Sequence, residues 1–169
     1  RGTGRELTDS GLPGKARSLL QDARGRMWVG TPSGVAFFKS DRFVPVAAVP
    51  YGIVYSFADD SAGNVWVSHQ EGLLRLFGAR VVERIPWARL GRREPASALL
   101  HDAVRGGLWL GFRDGGFAYF RDGQIRASYA GAGLEEGEVR GFYVDRNGTL
   151  WAPTVGGLSR IKDGHILTL

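Results

Sequence analysis

The chain has 169 residues, 43% of them hydrophobic, with 26 Gly, 7 Pro, no Cys and a formal net charge of +5. That length supports one compact domain with a real core, the Gly and Pro content stays under the roughly 25–30% at which disorder becomes the better description, and the absence of Cys excludes disulfides and thiolate metal sites. No apolar run approaches the roughly 18 residues of a membrane span, and the mild positive charge reads as surface solvation, so no nucleic-acid partner is expected.

In chain order, "GRELTDS" (Gly4 to Ser10) reads as the last strand of a preceding unit, and a Gly11-Leu12-Pro13 connector follows it. Four short segments come next: "ARSLLQ" (16–21), "RMWVGT" (26–31), "VAFFKS" (35–40) and "RFVPVA" (42–47). They are rich in β-branched, aromatic and aliphatic residues and bounded by Gly, Asp, Ser or Pro, which predicts four antiparallel strands. Asp22-Ala-Arg-Gly25 closes the first hairpin, the carboxylate accepting backbone N–H groups and the glycine taking a positive φ. That turn fixes the register, so that Trp28 points to the buried face.

The same unit recurs. Trp28, Trp66, Trp109 and Trp151 are separated by 38, 43 and 42 residues, and a glycine stands three places before each, at Gly25, Gly63, Gly106 and Gly148. Gly34, Gly72, Gly116 and Gly157 follow in step, each with an apolar residue nine places on: Phe43, Val81, Ile125 and Ile166. An indole hides roughly 150–250 Å², more than a four-stranded sheet buries without a neighbouring sheet. Repeats of about 40 residues with four strands each predict an all-β fold of radially packed propeller blades. An ordinary β-sandwich does not explain the fixed repeat length. The expected division is a stub over 1–10 and blades over 11–49, 50–93, 94–133 and 134–169.

The pattern D-x-x-G-x-x-W-x-[GS]-x-x-x-G-[LV] resembles the two-component regulator propeller repeat, most closely in "GLPGKARSLLQDARGRMWVGTPSGVAFF" (Gly11 to Phe38). The second repeat departs from it at Ser68 and His69, the third carries extra residues in its turns, and the fourth has Ala152-Pro153. The resemblance implies a non-catalytic sensor segment of a bacterial two-component signalling protein, facing the periplasm. Its parent would be membrane-anchored, with ligand or partner binding biasing an attached histidine kinase or other output domain. A purely structural interaction module, or a propeller lyase, stands as the alternative. The stub before the first repeat implies an arc of a larger propeller of seven or eight blades, and an arc with two apolar end faces is expected to self-associate.

Signatures of catalysis are missing: no phosphate loop, no His-x-x-x-His pair and no Gly-x-Ser-x-Gly elbow. His69, His101 and His165 sit in different repeats without ligand spacing, so neither a metal nor a cofactor is expected. Binding is placed at the channel mouth. If each unit's first strand is innermost, the residue five places before each hairpin Asp lies there: Arg17, Tyr55, Ser97 and Arg140. Arg17, Tyr55 and Arg140 could hold an anionic or saccharide ligand through forked hydrogen bonds and stacking. A second candidate is the connector "PWARLGRR" (Pro86 to Arg93), where Trp87 stands outside the repeat register beside Arg89, Arg92 and Arg93.

Overall fold

The computed structural model describes residues 10–130, 137–162 and 164–169. Four sheets follow one another along the chain, each a meander of four antiparallel strands in sequence order. The first holds β1 (Ser18–Gln21), β2 (Met27–Thr31), β3 (Gly34–Lys39) and β4 (Arg42–Pro45), and the second β5 (Val54–Asp59), β6 (Asn64–His69), β7 (Gly72–Phe77) and β8 (Arg80–Pro86). The third is built from β9 (Ala96–Asp102), β10 (Gly107–Phe112), β11 (Phe117–Arg121) and β12 (Gln124–Tyr129). β13 (Tyr143–Val144), β14 (Leu150–Thr154), β15 (Gly157–Lys162) and β16 (His165–Thr168) complete the fourth. The first strands β1, β5 and β9 are neighbours across sheets, so they are innermost and the sheets are propeller blades.

The stub expected over 1–10 lies outside the described residues except for Ser10, whose carbonyl accepts the Phe43 N–H on the outer edge of β4. The extended loop after β8 is ordered as a 3₁₀ turn, Trp87–Leu90, closed by Gly91 at φ 69°.

Each hairpin aspartate does more than cap its turn. Asp22 Oδ1 accepts the backbone N–H groups of Arg24 and Arg26, while Oδ2 accepts the Trp28 indole N–H at 2.8 Å. The same clasp joins Asp60 to Trp66 at 2.9 Å, Asp102 to Trp109 at 3.0 Å and Asp145 to Trp151 at 3.0 Å. One carboxylate therefore ties the turn to the aromatic that fills the interface to the next blade. The extra residue in the third turn is absorbed without losing the bond, Asp102 accepting instead from Val104 and Arg105.

Three hydrophobic clusters separate the four sheets. Trp28 packs with Leu20 and Phe37 against Phe57, Val65, Val67 and Leu74 of the second sheet. Trp66 meets Leu99, Leu108 and Phe120 of the third, at 5.6 Å between the Trp66 and Phe120 rings. Trp109 packs against Leu150, Ala152 and Ile161 of the fourth. Burying one indole of roughly 200 Å² at about 25 cal/mol/Å² contributes about 5 kcal/mol as an upper bound. Trp151 has no following sheet, and it is the indole left half-buried among the four.

The clasp makes stability depend on pH. Burial opposes ionisation of Asp22, Asp60 and Asp102, but their indole and backbone hydrogen bonds outweigh it, and each carboxyl lies below its ordinary value of 3.8. For Asp145 the Trp151 indole is the leading cause of the same shift. Because the folded-state values are depressed, the stabilisation is complete above the ordinary carboxylate value and is lost as pH falls through the lower folded values. Melting temperature is therefore expected to hold level under mildly acidic conditions and drop below pH 3.8, with Asp60→Asn flattening the drop. Calorimetry across this range showing no acid sensitivity would contradict the clasp.

Candidate functional site

The mouth is set by how tightly adjacent blades approach at the start of their inner strands. Two places after the clasped indole stand Gly30, Ser68, Gly111 and Pro153. A Cβ on Gly30 would meet Val54 Cγ1 at 2.5 Å, and one on Gly111 would meet Val139 Cγ1 at 2.5 Å. Where the approaching residue shrinks to Ala96, a serine fits, and Ser68 Oγ donates to the Ala96 carbonyl at 2.6 Å. Ser56 Oγ accepts the Leu99 N–H at 3.0 Å, adding a polar rivet between the second and third sheets.

These contacts bring part of the expected column together. The Arg17 guanidinium lies 5.8 Å from the centroid of the Tyr55 ring on the neighbouring blade, a cation–π pair worth about 0.5–1 kcal/mol at an exposed site. The Ser97 hydroxyl donates to the Val139 carbonyl at 2.7 Å and rivets the third blade to the residue leading into the fourth. Arg140 is exposed in the fourth blade, its backbone N–H bonded to the Pro153 carbonyl. Nearby Glu138 faces Arg113 at 3.8 Å, and no ion pair joins it to Arg140 among the described residues. Arg17 and Arg140 thus occupy equivalent positions at opposite ends of the arc.

The connector corrects the expectation for Trp87. Its indole is buried, 4% exposed, edge-on to Phe112, and it donates its N–H to the His69 carbonyl at 2.8 Å. Arg92 lies over the Phe112 ring at 4.0 Å from its centroid, and burial pulls its guanidinium below the ordinary value, with Asp114 opposing. The aromatic of "PWARLGRR" therefore belongs to the core between the second and third blades. Pro86, Ala88, Arg89, Gly91 and Arg93 of the segment are exposed, while Leu90 is buried with the indole. His69, in the place of the threonine of the first and fourth repeats, is fully buried, and its Nδ1 accepts the Glu71 N–H at 3.2 Å. Burial holds its pKa below 6.5, so it is neutral at neutral pH.

Among the clefts on the arc are one of about 310 Å³ between the second and third blades, one of about 250 Å³ between the first and second, and one of about 430 Å³ along the inner strands. The first two recur at equivalent places beside the hairpin turns, Asp60 and Trp66 lining one and Asp22 and Trp28 the other. They follow from repeat packing. None of the three is lined by Arg17, Tyr55 or Arg140. Among the described residues no cluster of His, Asp and Glu has the arrangement of a metal site.

Residues 10–33 match the family model described as two component regulator propeller, so the first repeat is of that type and the resemblance read from the sequence is shown. Among solved structures, the extracellular domain of a hybrid two component system from B. thetaiotaomicron superposes with a TM-score of 0.74 at 21% identity, over 97% of this chain and 23% of that one. Virginiamycin B lyase from Staphylococcus aureus gives 0.74 at 15% identity, over 95% of this chain and 56% of that one. The computationally designed Ika4 protein gives 0.68 at 12% identity, over 99% of both chains. At these identities the likenesses show the propeller fold, and this chain spans less than a quarter of the two-component domain's length. No curated protein matches it in sequence.

The two halves of the connector are expected to behave differently. Trp87→Ala should lower stability by about 3–5 kcal/mol, the cost of emptying a packed aromatic site, whereas Arg89→Ala should stay within about 0.5 kcal/mol. Urea denaturation reads both. A harmless Trp87→Ala would return that indole to the surface.

Proposed function

We propose that the chain is a non-catalytic, ligand-binding part of the extracytoplasmic sensor of a bacterial two-component protein, facing the periplasm. Ligand binding would bias an attached histidine kinase. Two findings support the setting: the match over residues 10–33 and the likeness in fold to the extracellular domain of a hybrid two component system. The observation that supports binding is the Arg17–Tyr55 pair, a guanidinium and a phenol held 5.8 Å apart on adjacent blades at the mouth. A planar guanidinium gives a carboxylate or sulfate two parallel hydrogen bonds, and the neighbouring ring gives a sugar face a stacking surface. An anionic saccharide is the ligand class that uses both.

The arrangement offers little for a reaction. Arginine stays protonated throughout the physiological range, and the equivalent mouth positions hold Arg, Tyr, Ser and Arg without a carboxylate or imidazole. A binding role is therefore favoured over a lyase.

The test is a calorimetric titration of the chain with sulfated and uronic-acid oligosaccharides. Binding is expected, with Arg17→Ala weakening it about tenfold or more, the loss of a charge-assisted bond. Heat signals absent across the set, or an affinity unchanged in Arg17→Ala, would leave the propeller as an interaction scaffold.

A further inference from the structure

The connector from β4 to β5 is fixed at several points along its length. Val46, Val49 and Val54 are buried in the cluster between the first and second sheets. The Val46 N–H donates to the Val35 carbonyl at 2.8 Å, and the Val49 N–H to the Val46 carbonyl at 3.0 Å. From β8 the Arg84 guanidinium donates to the Ala48 carbonyl at 2.8 Å. Gln70, in the turn between β6 and β7, closes the far end. Its side-chain Oε1 accepts the Ile53 N–H at 3.0 Å, and its own backbone N–H donates to the Ile53 carbonyl at 2.9 Å. Gly52 lies against that turn at φ 150°, where an added Cβ would meet Gln70 Cδ at 2.6 Å and His69 Nε2 at 2.7 Å. The approach therefore needs a glycine.

Within this held segment one large side chain is left out of the packing. Tyr51 is 79% exposed, the most exposed of the five tyrosines, and among the described residues its ring and hydroxyl have no partner. The sheets on either side of it, the first and the second, are both described, and neither covers it. Nor does the turn require a tyrosine there. The equivalent glycine of the first unit, Gly14 at φ 155°, is preceded by Pro13. An aromatic ring on a fixed backbone gives up little freedom when a ligand covers it, so more of the contact appears as affinity.

Four residues on stands Tyr55, the partner of Arg17 across the mouth. The register between β5 and β6 passes from Val54–His69 to Ser56–Ser68, which makes Tyr55 the extra residue of a β-bulge. A bulge at a strand end re-aims the side chain it carries. The ladder holds Tyr55 on both sides, whereas Tyr51 is held through the clamp on Ile53. Four residues of chain set the two tyrosine backbones no more than about 13 Å apart.

We propose that Tyr51 is a second stacking surface of the mouth site, presented by the connector that Gln70 clamps, and that the ligand is a chain of at least three sugars. This deepens the ligand reading above and rests on it. Arg17 and Tyr55 take the anionic unit and its neighbour, and the face of a unit further along lies on the Tyr51 ring. Gln70 is a positioning residue, acting on the ligand only through Tyr51.

The experiment titrates the chain calorimetrically with the di- and tetrasaccharides of galacturonic acid and of heparin. In the series that binds, the tetrasaccharide is expected to bind about tenfold more tightly than the disaccharide. Tyr51→Ala should melt as the wild type does, because its side chain is exposed. It is expected to bring the two lengths to equal affinity and to leave the disaccharide unaffected, while Tyr51→Phe keeps the difference. Gln70→Met retains the length of the side chain and removes the acceptor. It is expected to speed hydrogen exchange at the Ile53 N–H and to weaken the tetrasaccharide alone. Combined with Tyr51→Ala it should add nothing, since it acts through that ring. A tetrasaccharide indifferent to Tyr51→Ala, an equal loss at both lengths, or a Gln70→Met loss that adds to that of Tyr51→Ala would overturn the proposal. In each of those cases Arg17→Ala, weakening both lengths, leaves the ligand reading standing. A wild type that binds neither series takes down the ligand reading and the second surface together.

Discussion

The fold depends on one repeated bond, the indole N–H of a tryptophan donated to the carboxylate that caps the preceding turn. Each partner alone would be a liability. An aspartate beside an apolar interface loses hydration, and an indole driven between two sheets must satisfy its N–H or lose the benefit of burial. Joined, they solve both problems and couple three levels of structure: turn, strand register and blade-to-blade packing. The carboxylate has two oxygens and divides them, one for the backbone N–H groups of the turn and one for the ring. Neither a serine nor an asparagine cap offers two ionised acceptors in that geometry.

Much of the fold was legible because the four tryptophans, the turn glycines and the hairpin aspartates keep step along the sequence. The strands, their meander order and the burial of Trp28, Trp66 and Trp109 follow from that spacing together with period-two apolar patterning. The bond between aspartate and indole was equally present in the spacing of Asp22 to Trp28 and its repeats, yet turn chemistry and core packing read separately do not reveal it. The candidate site was legible in part. Arg17 and Tyr55 meet as equivalent positions on adjacent blades should. Trp87 misled because an aromatic among arginines in a loop looks like a binding patch, when a turn of 3₁₀ helix folds it back onto Phe112 and the His69 carbonyl. Periodicity says nothing about a residue outside the repeat.

The constraint between blades explains the small residues that the pattern places after each tryptophan. At Gly30 and Gly111 the next inner strand comes too close for any side chain, and at Ser68 the neighbour has shrunk to make room. Interiors are packed to this tolerance, so the identity of one residue reports the size of what faces it.

The central claim is that the carboxylate and the indole act as a unit, and a double-mutant cycle measures that directly. Asp102 and Trp109 are the pair to use, both about 3% exposed and 3.0 Å apart. Stabilities of the wild type, Asp102→Ala, Trp109→Phe and the double variant give their coupling free of the cavity and turn costs that each change brings alone. A coupling of about 2 kcal/mol is predicted, the range for a hydrogen bond to a charged group. Strict additivity would contradict the account, leaving turn and core as neighbours that share a spacing and nothing more.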